Sequence, residues 1–147
     1  MKRWLTLAVG LLLWSIALTA CGSESQSPSP QGSPSASTGA TEVHIVMTEM
    51  KIESDMTTFT HGQPYHFIID NKGTIQHEFE IATKLGPDAT EQEHDAASLK
   101  ELQRLDPGKT QTLDYTFGKA YPAGTLEFEC GIPDHYKAGM HMDVVVQ

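Results

Sequence analysis

Residues 126–140 read Leu-Glu-Phe-Glu-Cys-Gly-Ile-Pro-Asp-His-Tyr-Lys-Ala-Gly-Met, and this stretch joins a strand pattern to a row of metal-binding side chains. Leu126, Phe128 and Cys130 occupy alternate positions, with Glu127 and Glu129 between them. Such alternation is typical of a strand with one face against a core. The stretch therefore predicts a β-strand that ends with the side chain of Cys130 pointing inward.

Three side chains at the end of this strand match the ligand preferences of a soft metal ion. Cys130, His135 and Met140 supply a thiolate, an imidazole and a thioether, with four residues between successive members. Thiolate and thioether select copper, especially Cu(I), and two histidines, one cysteine and a weak axial methionine make the blue-copper arrangement. A second histidine must then come from another part of the chain.

His77 is the best candidate for that second histidine because its strand pattern turns it inward. One face of the segment carries Ile75, His77, Phe79 and Ile81, and the other carries Gln76, Glu78 and Glu80. An inward histidine among apolar neighbours can meet an inward cysteine across a core. The predicted metal ligands are His77, Cys130, His135 and Met140.

The remainder of residues 42–147 also favours short strands. Inward faces are predicted for Val43, Ile45 and Met47, for Tyr65, Phe67 and Ile69, and for Met142, Val144 and Val146, with a further strand over residues 110–117. Asn71-Lys72-Gly73 is a turn sequence.

Residues 86–107 depart from the strand pattern and predict one short helix. Thr90 and Glu93 have the spacing of a capping box, and Ala96, Leu99 and Leu102 recur at helical spacing before Asp106-Pro107-Gly108 ends the helix. The predicted fold class is all-β, a Greek-key sandwich or barrel with one helical excursion.

The N-terminus predicts export and a lipid anchor. Lys2 and Arg3 precede a mainly apolar run of 15 residues, shorter than the roughly 20 that span a bilayer, which indicates a signal peptide over residues 1–20. Leu18-Thr19-Ala20-Cys21 resembles a bacterial lipoprotein box, in which Cys21 is lipidated after cleavage. An ordinary signal peptide with a chance cysteine is the alternative.

The segment that follows Cys21 predicts a flexible tether to residue 41. It consists mainly of Ser, Pro, Gly, Gln, Thr and Ala, which cannot bury enough apolar surface to offset the entropy of ordering. The remaining 106 residues, 42–147, suffice for one domain. If Cys21 is lipidated, Cys130 has no disulfide partner, and a lone thiol in an oxidising compartment needs a role such as metal binding.

The charge of the chain is strongly acidic. Its formal net charge is −9, and without Lys2 and Arg3 there are 8 basic and 19 acidic residues, a net charge of −11. This balance argues against a nucleic-acid partner and favours encounter with basic surfaces.

The segment from Cys130 to Met140 resembles the ligand loop of the cupredoxins, the type 1 blue copper proteins related to plastocyanin and azurin, and its spacing is closest to that of auracyanin and rusticyanin. Residues 71–79, 105–110 and 124–128 resemble other segments of that family in the same order. Two positions depart from it. Asp134 stands where relatives usually have glycine, and Glu78 where several members have a small polar residue.

The resemblance implies a cupredoxin fold, one type 1 copper ion, and one-electron transfer through the exposed edge of His135 to a redox partner such as a cytochrome or a membrane oxidase or reductase. The expected protein is a monomer, not an enzyme, held by its lipid in the periplasm or at the cell surface. The alternative function is copper handling, meaning resistance or delivery, which the additional histidines and methionines favour.

Other chemistries explain the ligand set less well. Structural zinc prefers closed sets of thiolate and imidazole and has little use for a thioether. A Cys130 nucleophile activated by His135 would need an orienting group and an oxyanion site. A multicopper enzyme would need further histidine clusters.

The remaining histidines and methionines are assigned mostly to the surface or core. Solvent exposure is expected for His44, His61, His66 and His94, and core packing for Met47 and Met142. His141, Met50 and Met56 are left as candidates for a second copper site.

Overall fold

The computed structural model describes residues 39–86, 88–132 and 134–147, which form two packed β-sheets. The predicted signal peptide, Cys21 and most of the predicted tether lie outside these residues. The strands are β1 (Thr41–Thr48), β2 (Lys51–Ser54), β3 (Thr58–Phe59), β4 (Pro64–Asn71), β5 (His77–Thr83), β6 (Ser98–Leu105), β7 (Thr110–Thr116), β8 (Tyr121–Glu129) and β9 (His141–Val146). One helix, α1 (Glu91–Ala97), lies between β5 and β6.

The two sheets have four and five strands. Their orders are β2-β1-β4-β7 and β3-β9-β8-β5-β6. The pairs β1–β4 and β3–β9 are parallel, and the other pairs are antiparallel. This sandwich confirms the predicted all-β class with one helical excursion.

The core between the sheets follows the predicted alternation. The inward residues of β1, β4 and β8 that were predicted from alternation are buried, including Val43, Ile45, Met47, Phe67 and Phe128, and in β9 Val144 and Val146 are buried while Met142 is half-buried against the core. Phe59 lies within 5.0–6.0 Å, centroid to centroid, of the rings of Tyr65, Phe67, Phe117 and Phe128. This aromatic cluster anchors both sheets, because large rings bury much apolar area and favour tilted or edge-on contacts.

Helix α1 confirms one part of its prediction and corrects another. Thr90 and Glu93 form the expected capping box. Leu99 and Leu102, however, belong to β6 and not to the helix, because α1 ends at Ala97 and β6 begins at once. The predicted helical spacing was therefore wrong beyond residue 97, and Asp106-Pro107-Gly108 follows a strand. None of the helices in the described part of the chain is long and apolar enough to cross a bilayer.

Strand pairing explains why residues distant in sequence meet at one end of the sandwich. β5 and β8 are antiparallel, with Glu80 opposite Glu129. In such a pair, the start of one strand lies beside the end of the other. His77, the first residue of β5, is thereby placed near Cys130, which follows the last residue of β8.

Candidate metal centre

His77, Cys130 and His135 are brought together at this end of the sandwich. One potential ligand atom from each lies within 4.8 Å of the other two. The Cys130 Sγ is 3.3 Å from His135 Nδ1, and the ring centroids of the two histidines are 5.3 Å apart. His77 and Cys130 are buried, and His135 is half-buried.

The side chain of His77 indicates that this group of residues is shaped for a ligand. It is 0% exposed, and neither ring nitrogen has a hydrogen-bond partner among the described residues. Buried polar atoms are nearly always paired, because leaving one unpaired costs roughly 1–3 kcal/mol. A metal ion bound by one of these nitrogens would supply the missing partner, so the donor set fits copper.

The protonation chemistry of the group is also consistent with a metal ligand set. Burial lowers the pKa of His77, and the nearby His135 lowers it further, so the imidazole is held neutral, as metal binding requires. Burial raises the pKa of the Cys130 thiol. The backbone N–H of Glu78 donates a hydrogen bond to the Cys130 Sγ at 3.4 Å, which favours the thiolate. A cation beside Sγ would complete that stabilisation.

Met140 lies at the far end of the ligand loop, defined as residues 130–140. Its side chain is 0% exposed, and its backbone joins both other ligand positions of the loop. The Met140 N–H donates to the His135 carbonyl at 3.0 Å, and the Cys130 N–H donates to the Met140 carbonyl at 3.1 Å. These two hydrogen bonds close the loop on itself. The assignment of Met140 as the axial ligand stays a prediction.

The loop tolerates aspartate at position 134 through a left-handed backbone. Asp134 has a φ of 69°, and such values are more accessible to aspartate than to most residues. Aspartate can therefore take the place of glycine at this departure from the family pattern.

The approach to His77 is built by Asn71 and Gly73. The Asn71 side-chain amide donates to the carbonyls of Ile75 and Leu105, each at 2.8 Å, and its oxygen accepts from the Gly73 N–H at 2.9 Å. A Cβ on Gly73 would lie 3.2 Å from His77 Nε2 and 3.0 Å from Glu49 Oε1. Glycine therefore lets the backbone approach the imidazole.

Several predicted positions differ in the structure. Ile75 is 38% exposed, because β5 begins only at His77 and the residues before it form a bend. His66 is buried and pairs with Asp114 at 2.6 Å, so its predicted exposure was wrong. His94 also is not solvent-exposed, because its Nδ1 is 3.1 Å from Glu129 Oε1. His44 and His61 are exposed as predicted.

A buried polar group on the outer face of the five-stranded sheet was missed by sequence reasoning. Glu80, Glu127 and Glu129 are at most 3% exposed. Burial raises the pKa of Glu129 to about 8 and that of Glu80 to about 7. Their alternation with core residues predicted an outward direction, but no local pattern signals that His94 pairs with Glu129 or that Tyr136 pairs with Glu127.

No second convergent group of three such ligands occurs within the described ranges. Only His77, Cys130 and His135 place three His, Cys or acidic ligand atoms within 4.8 Å of one another there. His141 instead lies 3.3 Å from Glu127 Oε2. Met50 has a left-handed backbone, with φ 55°, and Met56 packs against the core.

Comparison with known proteins identifies similar chains. The model of the cupredoxin-like domain family matches residues 8–146. The copper-resistant cuproprotein CopI of Rubrivivax gelatinosus is 33% identical over 124 residues, covering 80% of this chain and 74% of that protein. The protein of the same name in Vibrio cholerae is 31% identical over 109 residues, covering 67% of this chain and 60% of its own length.

Solved structures agree with the observed architecture. The reduced auracyanin of Roseiflexus castenholzii has a TM-score of 0.57 at 23% identity, covering 74% of this chain and 98% of that one. Auracyanin A of Chloroflexus aurantiacus has a TM-score of 0.54 at 23% identity, covering 74% of this chain and all of that one. At this identity the likeness establishes the shared fold.

Proposed function

The chain belongs to the cupredoxin-like family of copper proteins, and from this premise we propose that it binds a single copper ion through His77, Cys130, His135 and Met140. The observation that carries the proposal is the buried imidazole of His77, with both nitrogens unpaired, beside Cys130 and His135. When bound, copper would supply a one-electron couple between Cu(I) and Cu(II).

Each ligand has a distinct role in this proposal. The Cys130 thiolate and the two imidazoles would be the strong donors to copper, and the Met140 thioether would be a weaker fourth donor. The Glu78 N–H, through its hydrogen bond to Sγ, tunes the thiolate. The protein holds these groups in a dry environment, so little has to move when the oxidation state changes.

We infer copper handling, in the service of copper resistance, as the principal role. The support is that two relatives, each at least 31% identical, carry the name copper-resistant cuproprotein. A protein that captures copper outside the cytoplasm needs a preformed soft-ligand site. The group around Cys130 meets that requirement.

Electron transfer is the second candidate, supported by the geometry of the site. A preformed set of two imidazoles and one thiolate suits both oxidation states of copper. His135 is half-buried, so its exposed edge would be the route for the electron to a cytochrome or a membrane oxidase or reductase. That partner would dock over His135.

The proposed location is outside the cytoplasm, with the domain tethered to the cell envelope. The signal sequence of residues 1–20 and the lipoprotein box that ends at Cys21 support it. We propose that the tether to residue 41 presents a monomeric binding domain, not an enzyme, at the membrane surface.

The binding site is tested by replacing Cys130 with serine. The copper-loaded parent protein is expected to show intense visible thiolate-to-copper absorption at one copper per chain, and Cys130→Ser is expected to lose it. A parent protein without that absorption, or a variant that keeps it, contradicts the site.

The two roles are separated by redox and exchange measurements on the copper-loaded protein. Rapid transfer of Cu(I) to a competing acceptor protein favours handling. Reversible voltammetry with little metal loss over many cycles favours electron transfer.

A further inference from the structure

The outer face of the five-stranded sheet carries a buried polar network made of His94, Glu127, Glu129, Tyr136 and His141. His94 Nδ1 is 3.1 Å from Glu129 Oε1, and His141 Nδ1 is 3.3 Å from Glu127 Oε2. The hydroxyl of Tyr136 donates to Glu127 Oε1 at 2.9 Å. Glu127 and Glu129 are alternate residues of β8, so they lie side by side on this face.

Three members of this network are sequence neighbours of the proposed copper ligands. Glu129 precedes Cys130, Tyr136 follows His135, and His141 follows Met140. Cys130 and Met140 are part of the apolar core, whereas Glu129 and His141 join the outer network. The network therefore contacts the backbone that carries the proposed ligands from the side opposite the proposed copper site.

Tyr136 is the residue through which the ligand loop joins the rest of this network. Its ring stacks on His141, with centroids 4.4 Å apart and planes at 19°, and lies 4.4 Å from the ring of His94. Its hydroxyl also lies 3.2 Å from the carbonyl oxygen of Leu85. One buried side chain thus connects the loop to β8, to β9, to α1 and to the segment after β5.

The arrangement of the network favours positioning of the loop over binding of a second metal ion. Its contacts run as a chain from His94 through Glu129 and Glu127 to His141, and the ring of Tyr136 lies within 4.4 Å of both histidines. A metal ion would need donors that converge on one point. A chain of paired groups instead fixes the elements that carry them.

We propose that Tyr136 is a positioning residue for the copper centre. Its hydroxyl bond to Glu127 and its stacking on His141 fix the backbone of the loop, so the imidazole of His135 stays beside the Cys130 Sγ before copper arrives. This inference rests on the proposed copper site. The hydroxyl is the contact under test, because it joins the loop directly to Glu127 of β8.

The variant Tyr136→Phe tests the proposal because it keeps the ring and removes only the hydroxyl. The expected result is a Cu(I) and Cu(II) affinity lower by about tenfold or more, as for other groups that orient metal ligands. We also expect a change in the visible absorption and electron-spin resonance spectra of the copper-loaded protein. Affinity is measured by competition with a chelator of known strength.

Tyr65→Phe is the matched control for the loss of a buried hydroxyl. Tyr65 is 3% exposed and its hydroxyl accepts a hydrogen bond from the Thr60 N–H at 2.8 Å, away from the ligand loop. Its copper affinity and spectra are expected to match those of the parent. Equal copper affinity and spectra in Tyr136→Phe and the parent would overturn the proposal.

The gain in unfolding midpoint on copper loading separates positioning from simple stabilisation. A tyrosine that only stabilises the fold would lower the midpoints of the copper-free and copper-loaded proteins equally. A positioning residue reduces the gain itself, because that gain depends on affinity. An unchanged gain in Tyr136→Phe contradicts the proposal.

Glu127→Gln provides an independent test if Tyr136→Phe does not fold. The amide oxygen can still accept from the Tyr136 hydroxyl, so copper affinity is expected to stay within about threefold of the parent, well short of the loss typical when an orienting contact is removed. A folded Glu127→Gln protein whose copper affinity falls tenfold would contradict the proposal, because the charge of Glu127 and not the hydrogen bond from Tyr136 would then control copper binding. If the parent protein itself shows no thiolate-to-copper absorption, the copper site fails and not this inference alone.

Discussion

The side chain of His77 has the features expected of a residue that binds a metal ion. Its imidazole is fully buried and neither nitrogen has a hydrogen-bond partner in the described part of the chain, whereas the Asn71 side chain makes three hydrogen bonds. The protein therefore satisfies the groups that support His77 and leaves His77 itself available. The backbone at Gly73 closes this arrangement from outside, since a side chain there would press on the imidazole.

We predict that Gly73→Ala weakens copper binding while leaving the fold intact. The added Cβ would lie 3.2 Å from His77 Nε2 and 3.0 Å from Glu49 Oε1, closer than ordinary packing allows, so the imidazole or the turn must shift. We expect about tenfold weaker affinity, measured by chelator competition, with an unchanged far-ultraviolet circular dichroism spectrum. Gly118→Ala, where a Cβ meets nothing within 4 Å, is the control. If Gly73→Ala bound copper as tightly as the parent, the close approach of the backbone to His77 would not be needed for copper binding.

At the scale of elements, β5 and β8 carry core residues on one face and buried carboxylates on the other. Glu80 and Glu129 are register partners on these strands, and Glu80 is packed near Ser98 of β6 and the acidic residues Glu78, Asp95 and Glu101. The negative charges of Glu101, Glu78 and Asp95 add to the effect of burial in raising the pKa of Glu80. The outer face is therefore sensitive to protonation, in contrast to the apolar inner face.

We predict that Glu80 makes the copper-free protein less stable as pH rises. Burial raises the pKa of Glu80 from 4.5 to about 7, so its favourable contribution is complete below pH 4.5 and is lost as pH rises to about 7. This loss amounts to roughly 3 kcal/mol at most. Urea unfolding at pH 5 and pH 8 should show that Glu80→Gln is more stable than the parent only at pH 8.

The exposed Glu42 provides the control for this substitution. Glu42→Gln should change the unfolding free energy little at either pH, because that side chain lies at the surface of β1. If Glu80→Gln raised the free energy of unfolding equally at both pH values, ionisation of Glu80 would not be the cause of the stability difference.

Strand alternation predicted the inner face of these elements well, and the outer face poorly. Phe79, Ile81, Phe128 and Cys130 are all buried, because a core imposes a period of two on the strands that enclose it. The prediction that Ile75 points inward failed because this residue lies in the bend before β5. The prediction that Leu99 is helical failed because a spacing seen in only three residues does not distinguish a helix from the strand β6. The contacts of His94 with Glu129 join residues 35 apart, which no local pattern encodes.

The candidate site was predictable for a different reason. Cys130, His135 and Met140 lie in one loop, so their spacing is visible in sequence, and only His77 had to be supplied by the fold. The direction of its side chain followed from alternation with Phe79. The positioning contacts of Tyr136 and Asn71 were not visible, because they join the loop and the turn to elements distant in the chain.

The whole molecule is distinguished by its negative charge. The formal net charge is −9 for the chain and −11 once Lys2 and Arg3 are removed. Such a field attracts cations and basic surfaces at long range, and salt screens it over about 10 Å at 0.1 M ionic strength. The rate at which a partner encounters the protein should therefore depend on the sign of the partner's charge.

We predict opposite salt dependences for small charged redox reagents acting on the copper-loaded protein. Oxidation by a cationic metal complex should slow by about tenfold or more as salt rises from low to high concentration, and oxidation by an anionic complex should accelerate. Stopped-flow measurements with a neutral reagent provide the control. Identical salt dependences for the two charged reagents would show that local charges around His135 outweigh the net charge.

The residues that flank the ligand loop, Glu129 and His141, face each other as a register pair of β8 and β9. The loop therefore connects β8 to β9 at a single register pair, as the connection of a β-hairpin does. We expect a loop of different length to be accommodated between the same two strands if the contacts of Tyr136 are kept. Three of the four proposed copper ligands thus lie in one connection between neighbouring strands, and only His77 comes from another part of the chain.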